Sequence, residues 1–268
     1  MILKRPSELE IMHDAGELLY QVHDLVAREV EPGVTTAHLN GIAERAILKF
    51  GARPAFLGYN GYPATINASI NEVIVHGIPN SRKLKSGDII SIDIGLKYRG
   101  FVADSARTLP VGDVSPLAKQ LIEVTDKALW DGIRASKAGG RLGDVSNAVQ
   151  RVVEAAGMYV VRKFVGHGVG REMHEDPQVP NWGQAGKGPA LKPGLVFALE
   201  PMVMITNSDV DTLADGWTEV TRDKCLSAQI EHTVAITENG PRVLTLPRNA
   251  PHGPTYEALY LQQSVSAQ

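Results

Sequence analysis

The chain has 268 residues, of which 43% are hydrophobic and 21% are charged, and its formal net charge is −3. This length and composition predict one globular domain with a large core, and the lack of a long basic block excludes an electrostatic nucleic-acid surface or a membrane anchor. The single cysteine, Cys225, excludes a disulfide framework and a cysteine zinc site within the chain and favours a reducing compartment, the cytoplasm.

The N-terminal residues carry a helix signal rather than a targeting signal, because they lack the apolar segment of a signal peptide. Ser7 and Glu10 have the spacing of a capping box, and apolar residues at helical intervals follow them. His13 and His23 fall on the more polar side of this first helix, so we expect both to be solvated. Thr36 is the expected cap of a second helix. No stretch of the chain reaches membrane-spanning length.

A second pair of helices is predicted after the middle of the chain. Ser115 and Pro116 have the residue types of an N-cap and a first helical position, and Asp144 is the expected cap of the fourth helix. Strands are predicted over residues 65–70, 73–75, 195–204, 218–221 and 226–237. The residues from 251 to 268 have no pattern and are expected to form a loosely ordered tail, so residues 1–250 are the expected single domain.

Between the helix pairs, residues 84–110 predict a β-hairpin that contains two acids. Residues 88–94 are apolar and β-branched, residues 95–100 are turn-forming, and residues 101–109 return as a second strand. Asp93 and Asp104 interrupt these apolar runs. Two buried carboxylates that lie close together are costly unless a cation compensates them, so the hairpin predicts a metal site. The alternative is that each Asp marks a turn or a strand end.

The same pattern occurs a second time, further along the chain. The sequence LKSG at residues 84–87 precedes Asp93, and LKPG at residues 191–194 precedes Glu200 at the same spacing. Each copy follows two predicted helices and a histidine-bearing loop, and each is followed by a second acid, Asp104 or Glu231. The alternative is that four letters match by chance. The matching order of helices, histidine and acids instead predicts two α-α-β halves related by pseudo-symmetry around a central antiparallel sheet.

The acids and one histidine of these halves form a set that suits metal ions. It contains Asp93, Asp104, His167, Glu200 and Glu231. Four carboxylates with one nitrogen and no sulfur suit two hard or borderline divalent ions better than structural zinc. Two ions roughly 3.5–4 Å apart can activate a water molecule near neutral pH.

Seven short motifs resemble those of the type I methionine aminopeptidases. They are HGIP from His76, SIDIG at 91–95, ADSART at 103–108, GHGVG at 166–170, MHEDP at 173–177, LEP at 199–201 and IEHT at 230–233. The resemblance extends from about residue 7 to residue 245. It implies the α/β pita-bread fold with internal pseudo-two-fold symmetry, which agrees with the repeat. The chain lacks the zinc-finger extension and the helical insert of other forms, and so is similar to the short bacterial form.

The resemblance also implies a role for each site residue. Asp93 would bind one metal, His167 and Glu200 the other, and Asp104 and Glu231 both. The cofactors would be two divalent ions per chain, for which cobalt, manganese, iron and zinc are all suitable. His76 and His174 would be catalytic groups that contact the substrate and are not metal ligands. Strand parity turns His232 away from its neighbour Glu231, so we expect His232 to be packed or hydrogen-bonded elsewhere.

A pocket for the methionine side chain is implied beside this site. Its expected residues are apolar or amphipathic, which suits a thioether, and they are Phe56, Tyr59, Tyr62, Met173 and Trp217. Relatives often have cysteine at the positions of Phe56 and Asn67 and an aromatic residue at that of Met173, so these departures affect the shape of the pocket. Packing in the core is the alternative explanation for the whole set.

The implied reaction is the removal of the N-terminal methionine from peptides and nascent proteins in the cytoplasm. Activated water would attack the carbonyl that follows the methionine, Glu200 would shuttle a proton, His174 would donate to the oxyanion, and His76 would steady the leaving nitrogen. A crowded mouth would favour a small second residue. No specific nucleic acid and no membrane are expected as partners, the chain is expected to be a monomer, and transient contact with the ribosome stays open.

Two other readings of the sequence stay open. One is a related pita-bread enzyme of the aminopeptidase P or prolidase type, although such enzymes usually carry an additional N-terminal domain. The other is a metal-free binding protein of the same fold, which would not need all five ligands. For Cys225 alone, a nucleophilic role stays open beside the alternative of an unreactive thiol at a loop or strand edge.

Overall fold

The computed structural model describes residues 1–250 and Gly253, and within them it contains four helices and fifteen strands. The helices are α1 (Pro6–Ala27), α2 (Thr36–Lys49), α3 (Pro116–Ala135) and α4 (Leu142–Ala155). The strands are β1 (Arg53–Pro54), β2 (Ile66–Ile70), β3 (Val73–Val75), β4 (Ile89–Tyr98), β5 (Phe101–Pro110), β6 (Tyr159–Val160), β7 (Gly166–Gly168), β8 (Glu175–Val179), β9 (Val196–Leu199), β10 (Met202–Met204), β11 (Val210–Thr212), β12 (Glu219–Thr221), β13 (Ser227–Gln229), β14 (Glu231–Thr237) and β15 (Gly240–Val243). A short 3₁₀ turn covers Tyr59–Gly61. The tail expected at residues 251–268 lies outside the described residues apart from Gly253.

The central sheet is antiparallel and has the order β1-β4-β5-β14-β9-β7-β8, with β2 beside β4 and β15 beside β14. Strands β4 and β5 form the predicted hairpin, and β9 pairs with β14 as the corresponding pair of the second half. The two halves join where β5 meets β14. The predicted pair of α-α-β halves around a central antiparallel sheet is therefore confirmed. Two three-stranded sheets, β13-β10-β6 and β11-β12-β3, complete the framework.

The helices cover one face of the central sheet. In the first half, α1 and α2 pack on alternate residues of β4, among them Ile90, Ile92 and Ile94, in one apolar cluster. In the second half, α3 and α4 pack with Phe197 and Val234 in another apolar cluster. Because side chains alternate along a strand, the residues between these positions point to the opposite face of the sheet. The opposite face is the one that carries the predicted acids.

The hairpin turn is tighter than the sequence predicts. Strands β4 and β5 extend to Tyr98 and Phe101, so only Arg99 and Gly100 form the turn, whereas residues 95–100 are the predicted turn. Both turn residues have positive φ, 48° and 85°, as a two-residue turn between twisted strands requires. Gly95 lies within β4, and the predicted strand near 195–204 is interrupted at Glu200 between β9 and β10.

The predicted helix caps are right for α3 and shifted for the others. The Ser115 side chain accepts a hydrogen bond from the Ala118 N–H, as predicted. The cap of α2 is Thr35, because the hydroxyl of Thr36 instead donates to the Asn80 carbonyl. Helices α1 and α4 begin one residue after an arginine, whose N–H donates to the carboxylate of Glu8 or Asp144. The N-cap residues are therefore Arg5 and Arg141. Ser7 lies within the first turn of α1, and Asp144 acts from the third helical position of α4.

The expectation that His13 and His23 are solvated is wrong. Their exposed fractions are 3% and 2%, and the ring Nε2 of each donates a hydrogen bond to a distant carbonyl, Leu246 O at 2.9 Å and Ser105 O at 3.0 Å respectively. Burial lowers the pKa of both histidines, so both are neutral near pH 7. The polar side of α1 is thus an interface with the segment that follows β15 and with β5. Within the described part of the chain, no helix combines the length and the apolar composition that crossing a bilayer requires.

Gly16 provides a test of how closely α1 packs against the segment after β15. Alanine normally stabilises a helix by about 1 kcal/mol relative to glycine. At Gly16, however, a Cβ atom would overlap with the Leu244 carbonyl oxygen. We expect Gly16→Ala to lower the free energy of unfolding by about 1–3 kcal/mol. At Gly41 in α2 the nearest atom is the mobile end of Arg45, 3.0 Å away, so Gly41→Ala should be neutral or stabilising. Urea denaturation of both variants checks this, and equal effects would contradict the packing.

Candidate active site

Two neighbouring rows of residues run across the face of the sheet that the helices leave free. The strand register places Asn67, Asp93, Ala106 and Glu231 side by side on β2, β4, β5 and β14. Glu200 directly follows β9, two residues beyond Ala198, and so points to the same face. Strands β4 and β14 and the end of β9 thus bring three acids of the predicted set, Asp93, Glu231 and Glu200, into the first row.

The second row lies two residues away on the same strands. It contains Gly95, Asp104, Thr233, Ala198 and His167, on β4, β5, β14, β9 and β7. Thr233 links β5 and β14 here, because it accepts a hydrogen bond from the Asp104 N–H at 3.2 Å and donates to the Asp104 carbonyl at 2.8 Å. The residues between the acids in both rows are small. The acids and His167 therefore surround a space that no side chain fills.

His167 is oriented toward the acids by its backbone contact. Its Nδ1 lies 3.0 Å from the Gly168 carbonyl, an acceptor only, so Nδ1 carries the proton and Nε2 has a free lone pair. Nε2 lies 3.5 Å from Asp104 Oδ2 and 3.7 Å from Glu200 Oε1. One ligand atom each from Asp104, His167 and Glu231 lie within 4.8 Å of one another. This orientation of a neutral histidine is the one that metal sites use.

The carboxylates in this space lack partners for some of their oxygens. Asp93 Oδ1, Asp104 Oδ1 and Glu231 Oε1 are buried and have no hydrogen-bond partner in the described structure. Burial raises the pKa of Asp104 to about 8. Burial, and after it the charge of Asp104, raises the pKa of Asp93, Glu200 and Glu231 well above the usual range. Orphaned carboxylate oxygens around one histidine nitrogen are the donor set of a divalent cation, so these residues fit the metal site that the sequence predicts.

Two side-chain amides donate hydrogen bonds to acids of the first row. Asn67 Nδ2 donates to Asp93 Oδ2 at 2.8 Å, and Gln229 Nε2 donates to Glu200 Oε2 at 3.4 Å. Hydrogen bonds from both amides oppose the rise in the pKa of Asp93. Sequence analysis identified Asn67 only as a departure in the pocket and did not identify Gln229. The position of Gln229, two residues before Glu231 and therefore on the same side of an extended chain, is the signal that could have found it.

All twelve residues predicted for the site line one cavity of about 250 Å³. They are Phe56, Tyr59, Tyr62, His76, Asp93, Asp104, His167, Met173, His174, Glu200, Trp217 and Glu231. The structure also brings in residues that the sequence did not suggest, among them Phe164, Met202 and Gln229. Acidic and aromatic side chains thus line the same cavity.

The apolar wall of the cavity is built closely against the second row. The ring of Phe56 lies over Gly95, where a Cβ atom would come within 2.6 Å of it, and Gly95 is directly opposite Asp104 in the sheet. Tyr62 and Trp217 meet edge to face at 5.1 Å between ring centroids. Phe56, Tyr62 and Met173 belong to one buried apolar cluster against which Trp217 packs. These residues are therefore part of the apolar core and part of the cavity wall at once.

The two other predicted histidines lie at the sides of the cavity. His174 is 4.1 Å from His167 between ring centroids, and its Nδ1 lies 2.7 Å from the Tyr59 hydroxyl. Desolvation, and after it the charge of His167, lowers the pKa of His174 to about 4. His76 has a positive φ of 59°, unusual for a residue other than glycine, and its ring meets Phe164 edge to face. Burial lowers the pKa of His76 as well, so both histidines are neutral near pH 7.

The residues predicted to lie apart from the site do so. His232 points to the helix-bearing face of the sheet, where its Nδ1 lies 2.9 Å from the Thr245 hydroxyl and its ring meets Trp130 edge to face. This agrees with the parity argument. Cys225 is buried in a different apolar cluster, with Ile74 and Met204, and is not among the residues that line the cavity. The structure thus gives the thiol a packing role.

Comparison with known proteins agrees with this geometry. The sequence model of metallopeptidase family M24 matches residues 10–238. The chain is 51% identical to methionine aminopeptidase 1 of Bacillus subtilis over 245 residues, which covers 91% of this chain and 99% of that protein. It is 41% identical to the methionine aminopeptidase of Escherichia coli K12, over 91% of this chain and 93% of that protein.

Solved structures show the same fold. The crystal structure of a methionine aminopeptidase from Rickettsia prowazekii superposes with a TM-score of 0.90 at 41% identity, over 92% of this chain and all of that one. A prolidase from Pyrococcus furiosus is 24% identical and superposes with a TM-score of 0.74 over 92% of this chain and 66% of that one. The second similarity concerns the fold alone. Both agree with the pita-bread architecture of the central sheet.

Metal binding should release protons, because the raised pKa of Asp104 leaves that carboxyl largely protonated at pH 7 in the metal-free protein. Binding requires the carboxylate, so the apparent affinity for Mn²⁺ should rise as the pH rises toward 8 and fall at lower pH. Calorimetric titration of metal-free protein at pH 7, in buffers of different ionisation enthalpy, measures the number of protons released. Binding that releases no proton would contradict the protonated state of Asp104 in the metal-free protein.

Proposed function

The chain belongs to metallopeptidase family M24, with the methionine aminopeptidases as relatives over nearly its whole length, and on this premise we propose that it hydrolyses the N-terminal methionine from newly made proteins. The observation that carries this function is the meeting of two unlike surfaces in one cavity. Four acids and His167 line this cavity together with a group of aromatic and apolar side chains. The residues 1–250 act in this proposal as one catalytic domain.

Five residues would hold two divalent ions. Among the acids, Asp93 is on the first of the strands in sheet order and Glu200 follows the last, β9, with His167 on the strand beside β9. Asp104 and Glu231 lie between them, which supports their assignment as ligands shared by both ions, with Asp93 on one ion and Glu200 and His167 on the other. Cobalt, manganese, iron and zinc ions all accept this donor set. Such ions, when bound, lower the pKa of water and polarise the peptide carbonyl.

The aromatic pocket selects the side chain. Phe56, Tyr62, Met173 and Trp217 offer a closed apolar surface, and Tyr59 lies at its exposed rim. An unbranched thioether fits such a surface and makes favourable contacts with aromatic ring edges. The pocket adjoins the acids because Gly95 leaves room for Phe56 beside Asp104. A methionine side chain held there would place its own carbonyl next to the acids.

Three side chains handle hydrogen bonds and protons at the scissile bond. If the Tyr59 hydroxyl donates to His174 Nδ1, the neutral His174 carries its proton on Nε2 and can donate it to an oxyanion. His76, neutral and held beside Phe164 and Trp217, contacts the leaving nitrogen. Glu200 takes a proton from the attacking water and delivers it to the leaving amine. Its Oε2 is held by Gln229, so Oε1 is the oxygen available for this transfer.

The substrate class suggests where the protein works. An N-terminal methionine is the first residue of a newly made chain, so we propose action in the cytoplasm on nascent or just-completed proteins, as a monomer. Transient contact with the ribosome would be compatible with this role. The one cysteine is buried and unpaired, which suits a reducing compartment.

Hydrolysis of short peptides tests the function. We expect cleavage of Met-Ala-Ser, much slower cleavage when a bulky residue follows the methionine, and no cleavage of Ala-Pro-Ser. A chelator should abolish the activity, and Mn²⁺ or Co²⁺ should restore it. Preferential cleavage of Ala-Pro-Ser would indicate a specificity of the aminopeptidase P or prolidase type, and chelator-insensitive cleavage by metal-stripped protein would contradict metal-assisted hydrolysis.

His174→Ala should separate catalysis from metal binding. Loss of one oxyanion donor costs roughly 10²–10³ in rate, so kcat on a Met-Ala peptide should fall by about that factor. Metal affinity should stay unchanged, because His174 is not in the proposed ligand set. Asp104→Asn is the matched control, and we expect it to weaken metal binding itself. Calorimetric metal titration beside peptide kinetics checks both variants. Full activity would remove His174 from the mechanism, and loss of a metal would make it a ligand.

A further inference from the structure

The loop between β7 and β8, residues 169–174, carries both Met173 and His174 and is closed by the residue that follows it. Glu175 Oε1 accepts hydrogen bonds from the Arg171 N–H at 2.9 Å and from the Glu172 N–H at 3.4 Å. Glu175 is also the first residue of β8, where it pairs with Gly168. One carboxylate thus holds the backbone of the loop against the strand pair that carries His167.

The other oxygen of this carboxylate binds the N-terminal segment of the chain. Lys4 Nζ lies 2.5 Å from Glu175 Oε2, and the two side chains are only 4% and 6% exposed. The same ammonium donates to the Ile2 carbonyl at 3.1 Å, and the Lys4 N–H donates to the Gly194 carbonyl at 2.7 Å. Gly194 lies in the turn that leads into β9 and so toward Glu200. Lys4 therefore connects two segments that carry proposed catalytic residues.

Two glycines make room for this connection. A Cβ atom at Gly170 would collide with the Lys4 side chain and with Glu175 Oε1, and a Cβ atom at Gly194 would come within 2.6 Å of the Lys4 carbonyl oxygen. The lysine thus runs through a passage between backbone segments rather than over the surface. A charged pair buried in such a passage is sensitive to removal of either partner, because the remaining charge is left uncompensated.

We propose that Lys4 is a positioning residue for the reaction. Its ammonium holds the Glu175 carboxylate in the orientation that closes the loop, and the loop in turn sets where His174 meets the substrate. The inference rests on the proposed role of His174. A displacement of about 1 Å at a reacting group can cost up to about 10² in rate, so the rate should depend on an ion pair that touches neither metal ligands nor substrate.

The test compares Lys4→Met and Glu175→Gln with a variant of an exposed ion pair on the same loop. Glu8 Oε1 accepts from Arg171 Nη2 at 3.0 Å, and the arginine side chain is 59% exposed. Exposed pairs contribute little, and glutamine keeps the contact of Glu8 with the start of α1, so Glu8→Gln should keep kcat/KM within about twofold. We expect Lys4→Met and Glu175→Gln to lower kcat/KM on a Met-Ala peptide by about 10–10².

Two further measurements distinguish positioning from a general loss of structure. Calorimetric titration with Mn²⁺ should give wild-type affinity, and amide hydrogen exchange should become faster in residues 169–174 of both variants. In a His174→Ala background, Lys4→Met should cost less than about twofold more, because both changes act on the same group. If Lys4→Met does not fold, Glu175→Gln breaks the same pair with a side chain of equal size.

The outcomes are separable. Wild-type activity of Lys4→Met, loss of Mn²⁺ affinity, or an equal additional loss in the His174→Ala background would overturn the positioning role. Impaired His174→Ala together with fully active Lys4→Met and Glu175→Gln would overturn this inference alone. Fully active His174→Ala would overturn the proposed role of His174 and, with it, the inference.

Discussion

The burial of four carboxylates beside one another is the constraint on which the rest of the site depends. Asp93, Asp104, Glu200 and Glu231 lie on one face of the sheet, with the imidazole of His167 beside them. In the absence of a cation this group holds protons that free carboxyls would have released. Small residues between the acids leave the space that a cation needs. The metal chemistry of the family therefore follows from how the sheet arranges charge.

The pseudo-symmetric halves have a physical consequence for stability. Asp93 and Asp104 come from the first half, and His167, Glu200 and Glu231 come from the second, across the junction of β5 and β14. An ion that binds residues of both halves binds only when they are joined, so its binding free energy adds to the folding of the whole chain. The helices contribute from the other face, where each pair covers its own half of the sheet.

The two histidines that we propose to contact the substrate, His76 and His174, lie on loops that contacts with the framework hold in place. His76 follows β3 in a strained conformation with φ of 59°, which the surrounding rings maintain. His174 lies in the loop closed by Glu175 and, through it, by Lys4. The rigid sheet thus supplies the charge, while loops with few conformational choices present the neutral histidines. This arrangement allows a substrate to enter between surfaces of opposite character.

The sequence by itself determined the helices, the hairpin, the paired acids and the orientation of His232, because these depend on periods of 3.6 and 2 residues that a chain carries locally. Through the family resemblance it also named twelve of the residues that line the cavity. Only the tertiary structure decided that His13 and His23 are buried, that Gln229 holds Glu200, and that Lys4 reaches Glu175. These features depend on which distant segments meet. Residues 171 positions apart pair through burial and charge, and no local period records that meeting.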